Sequence, residues 1–167
     1  FGENKVQEAI EKWTEIKKTK PSIKLHMIGK LQTNKVKFAV KLFDYIHTVD
    51  SEKLAKKIYE EELKLKKKIK IFIQVNIGDE NQKAGVSIDN TSHLVDYCKK
   101  LNLNLQGLMC IPPLGVQPDN YFKKLNEINI ENKLTSLSIG MSSDYNSAIK
   151  FNASFVRIGS NIFGKRD

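Results

Sequence analysis

Short runs rich in Ile, Val and Phe recur along this chain, and between them lie longer stretches whose apolar residues follow a helical period. Strands are expected over Ile23–Ile28, Tyr45–Val49, Lys70–Ile77, Leu105–Ile111, Thr135–Ile139 and Ser154–Ile158, since segments such as KIKIFIQVNI and ASFVRIG are dense in β-formers. Helices are expected over Asn4–Lys17, Asn34–Phe43, Ser51–Lys67, Asn90–Leu101, Asp119–Ile130 and Tyr145–Lys150. Leu54, Ile58 and Leu65, for example, fall near one helical face. Ser51 and Asp119 stand where N-caps are wanted, with Glu52 beside Ser51. Alternation this regular calls for a parallel sheet with helices outside. An open doubly wound sheet and a closed barrel both satisfy it, although no GxGxxG follows an early strand, as a Rossmann dinucleotide site needs.

The 167 residues fit one domain with no linker-like segment, and 40% apolar with 28% charged residues is ordinary for a globular protein. No run approaches the roughly 18 apolar residues of a membrane span, and no signal-peptide pattern is present. The first residue is Phe1 rather than Met, which reads as a processed, truncated or partly represented chain. Cys98 and Cys110 have no CxxC or Cys/His spacing, so they are expected as buried free thiols of a reducing cytosol. The net charge of +9 comes mostly from lysines mixed with glutamates, with no basic stripe interleaved with aromatics. A solvated surface is therefore expected, and no nucleic-acid partner. Only two arginines occur, Arg157 and Arg166; a guanidinium kept where lysine fills nearly every other cationic position points to Arg157.

Sites in barrels of this kind gather where strands run into their following loops. Two such junctions, GMSSD and IGSN, place glycine and small hydroxyl residues directly after an apolar strand. Loops of that composition present backbone N–H groups and hydroxyls to a phosphate. They follow the final two strands, where barrels tend to build phosphate sites.

Five segments then line up in order: FGEN-x-VQE (Phe1–Glu8), H-x-IG-x-LQ-x-NK (His26–Lys35), HTVD (His47–Asp50), LSIGMSSD (Leu137–Asp144) and VRIG-x-x-IFG-x-R (Val156–Arg166). Together they resemble the pyridoxal phosphate homeostasis proteins, single-domain relatives of the alanine racemase barrel, over essentially the whole chain. The resemblance implies an α/β fold, a TIM-type (β/α)8 barrel of the alanine racemase N-terminal-domain kind, with pyridoxal 5'-phosphate (PLP) as cofactor. It implies a Schiff-base lysine on a strand upstream of FGEN, so residues 1–167 are expected to form one PLP-binding barrel domain lacking its first strand and helix. Lys20, in KKTKP, stands on the wrong side of FGEN and before a proline, which marks a loop rather than a barrel interior. Asn152 stands where glycine is usual in the family, and asparagine tolerates the left-handed turn.

The resemblance also supplies the candidate cofactor-binding residues Asn4, Ser142, Ser143, Arg157, Gly159 and Ser160. Ser142 and Ser143 would hold phosphate through hydroxyls and backbone N–H groups, and Gly159 with Ser160 would close the cup; the alternative is a pair of ordinary turns with helix-capping serines. Arg157 would face the pyridine nitrogen. Guanidinium donates a hydrogen bond there without giving up its proton, which leaves the ring a weaker electron sink than a carboxylate partner would. Alternation in FVRIG leaves open whether Arg157 points inward or outward. Asn4 would border the cofactor ring, or cap the helix that follows. His26 and His47 read as satisfied barrel-layer histidines rather than catalytic ones. Trp13 and the phenylalanines read as helix-to-barrel packing.

Family members bind the cofactor with no firm turnover and are linked to balancing PLP and amino-acid pools. A monomeric cytoplasmic protein of that type, not an enzyme and without membrane association, is the leading expectation. A PLP-dependent racemase-like enzyme is the alternative. A racemase needs a second domain to supply the opposing acid–base group and close the site, and an exposed cofactor loses the electrostatic benefit of a sealed one. No catalytic residue and no metal site is expected.

Overall fold

Seven parallel strands, each but the last followed by a helical crossover, wrap into a nearly closed barrel. The computed structural model describes residues 1–80 and 82–164. The strands are β1 (Gly2–Glu3), β2 (His26–Met27), β3 (Tyr45–Val49), β4 (Lys70–Gln74), β5 (Asn104–Met109), β6 (Ser136–Met141) and β7 (Phe155–Arg157). They pair in sequence order, each parallel to the next. The helices are α1 (Val6–Thr19), α2 (Val36–Leu42, entered through a 3₁₀ turn at Thr33–Lys35), α3 (Glu52–Leu65), α4 (Ile88–Lys100), α5 (Asp119–Glu131), α6 (Tyr145–Lys150) and the short α7 (Ser160–Phe163). The barrel alternative is thus realised, with seven parallel strands.

Period-two alternation divides the strands between two buried environments. Ile46, Ile71, Ile73, Leu108, Leu137 and Ile139 pack outward into one core with Val6, Val40, Ile58, Leu94 and Phe122 from the helices. Phe72 and Met109 are fully buried yet lie outside that core, in the barrel interior. Phe72 and Phe155 are in ring contact with His47, so these two phenylalanines fill the barrel, which corrects the helix-to-barrel packing that the sequence suggested for them. Trp13 does pack in the helix–barrel layer, 7% exposed, with its indole N–H donating to Glu3 Oε1 at 2.7 Å.

Ser51 caps α3, its hydroxyl accepting from Leu54 N–H. Asp119 does not cap α5: Pro118 is the cap, and Asp119 is the first helical residue, where its carboxylate accepts from Ser147 Oγ on α6. Cys98 and Cys110 are buried free thiols whose pKa values burial pushes up to about 12. Several surface lysines pair with glutamates one turn away, as at Lys5–Glu8, Lys18–Glu15 and Lys57–Glu61.

Candidate functional site

The last two strand-to-loop junctions meet. Gly140 in β6 has φ +89°, a conformation that costs glycine little, and a Cβ there would lie 2.6 Å from the Ala148 Cβ. This bend carries the chain from β6 into Met141–Asp144, where the Asp144 carboxylate accepts from Met141 N–H and fixes the loop. Gly159 N–H donates to Ser142 Oγ at 3.1 Å, and Asn161 Nδ2 donates to Ser142 O at 3.1 Å. Ser142 is therefore the pin between the two loops. As its oxygen accepts from Gly159, its own hydroxyl proton stays free to donate. Ser143 and Ser160 are exposed, and among the described residues neither hydroxyl is engaged. A Cβ on Gly159 would meet nothing within 4 Å, so the cup is open above it. Arg166 lies outside the described residues.

Arg157 points into the barrel. Its Nη1 donates to Ser138 O at 2.7 Å and Ser138 Oγ at 2.9 Å, and its Nη2 donates to Cys110 O at 2.8 Å. The residue is half-buried, with the guanidinium enclosed, and burial draws its pKa down from the usual arginine value. It remains a cation at neutral pH. Three of its five N–H donors are used, all on neutral oxygens, and no carboxylate among the described residues forms an ion pair with it. A buried charge held this way is a standing site for an anion or a lone pair.

Asn4 is exposed and immediately follows β1, at the same end of the barrel as the two loops. It is not the cap of α1, which is Lys5 with no side-chain capping bond. Gly29, following β2, lets the chain approach: a Cβ there would sit 2.2 Å from Asn4 O. Thr48 Oγ1 donates to Gly29 O at 2.8 Å, which links the segments FGEN, H-x-IG and HTVD at one barrel mouth. Lys20 is the exposed C-cap of α1 and leads into β2, so it lies at the opposite end from the strand C-termini. Asn152 takes φ +64° and keeps the left-handed turn before β7.

His47 is a satisfied interior histidine and half-buried His26 is bonded to it through one nitrogen: His26 Nδ1 lies 2.9 Å from His47 Nε2, and His47 Nδ1 lies 2.8 Å from Ser138 Oγ. Burial is the main cause that lowers their pKa values, to about 4 for His26 and about 3 for His47, so both imidazoles are neutral. Ser138, Asp144 and Asn161 were not singled out from the sequence. The readable signal was Ser138, a hydroxyl in the middle of SLSIG on the face opposite Leu137 and Ile139. Partners for Asp144 and Asn161 are set by loop geometry, which no spacing encodes.

The chain matches the family described as alanine racemase, N-terminal domain, over residues 1–167. It is 39% identical to the pyridoxal phosphate homeostasis protein of Aquifex aeolicus, covering 99% of this chain and 76% of that protein. For the protein of the same name from Escherichia coli (strain K12), identity is 32% over 100% of this chain and 76% of that one. PipY of Synechococcus elongatus, solved with PLP bound, superposes with a TM-score of 0.88 at 34% identity, covering 98% of this chain and 81% of PipY. An alanine racemase of Clostridium difficile shares the fold alone, with a TM-score of 0.73 at 17% identity over 99% of this chain and 44% of the racemase. With barrel, motifs and relatives in agreement, this chain belongs to the pyridoxal phosphate homeostasis protein family.

Proposed function

We propose that this chain binds PLP at the mouth formed by the C-terminal ends of its strands, as a cytoplasmic, monomeric carrier in PLP and amino-acid homeostasis, without turnover of its own. Residues 1–167 act in this reading as a single PLP-binding barrel domain. The observation that carries it is the Ser142 pin between the last two loops, next to an inward guanidinium with no carboxylate partner. The donor set fits the group: hydroxyls and N–H groups of Ser142, Ser143 and Ser160 suit a phosphate, Gly159 leaves room for it, and the spare Arg157 donors suit a pyridine nitrogen. PLP supplies an aldehyde and an electron-accepting ring. Arg157 orients the ring without protonating it, and Asn4 borders it. The relative PipY, solved with PLP bound, supports carrying the ligand over.

Titration of the chain with PLP, followed by the cofactor's absorbance, tests this. The expected result is saturable binding that inorganic phosphate competes away, with pyridoxal, which lacks the phosphate, held at least about 10-fold more weakly, or about 1.4 kcal/mol. Alanine racemisation should not exceed that of free PLP. Equal affinity for pyridoxal and PLP removes the phosphate cup from the account, and turnover above background makes the chain an enzyme.

A further inference from the structure

Four side chains from four strands form one hydrogen-bonded line across the barrel. Arg157 Nη1 on β7 donates to Ser138 Oγ on β6 at 2.9 Å, Ser138 Oγ lies 2.8 Å from His47 Nδ1 on β3, and His47 Nε2 lies 2.9 Å from His26 Nδ1 on β2. Tyr45, Phe72 and Phe155 surround the line: His26 stacks on Tyr45 at 4.2 Å between centroids, and His47 on Phe72 at 4.6 Å. Ser138 is fully buried and His47 is 1% exposed. An aromatic barrel layer could be filled by apolar residues, so a continuous polar line through it calls for an explanation.

The protons give the line a direction. Ser138 has one hydroxyl proton, and its oxygen already accepts from Arg157. Two neutral imidazoles with nitrogens 2.9 Å apart share one proton. If His47 donated Nδ1–H to Ser138, the serine proton would have no acceptor among the described residues. If Ser138 donates to His47 Nδ1 instead, His47 donates Nε2–H to His26 Nδ1, and the one proton left over sits on Nε2 of half-buried His26, where water can accept it, rather than on fully buried Ser138.

We infer that Ser138 and His47 are positioning residues that aim the Arg157 guanidinium at the bound cofactor through a one-way line of hydrogen bonds, from Arg157 to Ser138 to His47 to His26, with both imidazoles protonated on Nε2. The target of Arg157 rests on the PLP reading, while the line and its direction are properties of the chain alone. Because Arg157 is also held by the Ser138 and Cys110 carbonyls, the serine hydroxyl sets the angle of the fork rather than its presence in the barrel.

Nitrogen-15 NMR of the imidazoles tests this directly, and His93, which is exposed and bonded to Glu52, is the only other histidine to assign. In the wild-type chain at neutral pH, His47 and His26 should each show a protonated Nε2 and a bare Nδ1. Ser138→Ala should shift His47 to a mixture of tautomers, and weaken PLP at least fivefold more than it weakens inorganic phosphate; Ser138→Thr, which keeps the hydroxyl, should restore both. A protonated Nδ1 on wild-type His47, or tautomers and PLP affinity unchanged in Ser138→Ala, overturns the inference. Should Ser138→Ala fail to fold, the wild-type tautomers still decide the direction, and Ser138→Cys, whose thiol is a weak donor and acceptor, decides the need for the hydroxyl by the same two readouts. A wild-type chain with the expected tautomers but no affinity for PLP would refute the functional reading and leave the line standing.

Discussion

In the proposed reading Arg157 and Ser142 have different roles at the same mouth, and substitution separates them. Ser142→Ala removes a free hydroxyl and also the acceptor of Gly159 N–H, so PLP and inorganic phosphate should both weaken, by roughly 10-fold in an equilibrium titration. Arg157→Lys keeps a charge but loses the fork that reaches Ser138 and Cys110 together. It should cost PLP at least about 10-fold and shift the bound cofactor's absorbance, while phosphate binding changes less. The histidines give a third prediction. Their ordinary pKa is 6.5, and in the folded chain it falls to about 4 for His26 and about 3 for His47. Besides burial, His26 feels the Phe1 α-amino group and, in the opposite sense, Asp44; His47 feels His26 and Arg157. Below pH 6.5 the unfolded chain takes up protons that the folded chain refuses, so stability declines as pH falls, toward about 4 for His26 and about 3 for His47, and their contribution then levels off. Unfolding free energies from urea denaturation should drop between about pH 7 and about pH 4.5, by at most about 1.4 kcal/mol per pH unit for each histidine. A flat profile would mean that the histidines are not buried neutral. Arg157 stood out in the sequence by type, since lysine fills nearly every other cationic position. Its inward direction did not, because FVRIG is apolar on both sides of the arginine.

At the scale of elements, glycines and left-handed turns place the mouth. Gly140→Ala puts a Cβ 2.6 Å from the Ala148 Cβ and 3.1 Å from the Tyr145 Cα at φ +89°, so it should destabilise the chain by about 2–4 kcal/mol in chemical denaturation. By displacing the Met141–Asp144 loop it should also weaken ligand binding. Asn152→Gly relieves φ +64° and should be neutral or stabilising by up to about 1 kcal/mol. The strands β2 to β7 and the helices α1 to α6 were legible because a buried parallel strand and an amphipathic helix leave strong periodic signals. The strand β1 spans two residues and α7 four, too few to repeat either period, so both went unread. Asp119 misled as a cap because Pro118 takes the cap position and Asp119 is already the first helical residue.

Across the whole molecule, β1 and β7 each pair on one side only among the described residues, whereas β3, β4 and β5 are paired on both sides and buried on both faces. Amide exchange should accordingly be slowest in β3–β5 and fastest in β1 and β7, with the loop after β6 protected when PLP binds. Uniform exchange across the sheet would contradict a barrel with two open edges. The barrel class was readable from strand–helix alternation together with the order of five motifs. The polar line through its centre was not, since it joins four strands far apart in sequence and exists only once the sheet curls. Whether the last two loops and Arg157 make one cradle is decided by a crystal structure of this chain soaked with PLP. The phosphate is expected within hydrogen-bonding distance of Ser142 or Ser143 and of Ser160, with the ring nitrogen on Arg157. A phosphate bound elsewhere, or a ring nitrogen turned away from Arg157, contradicts it.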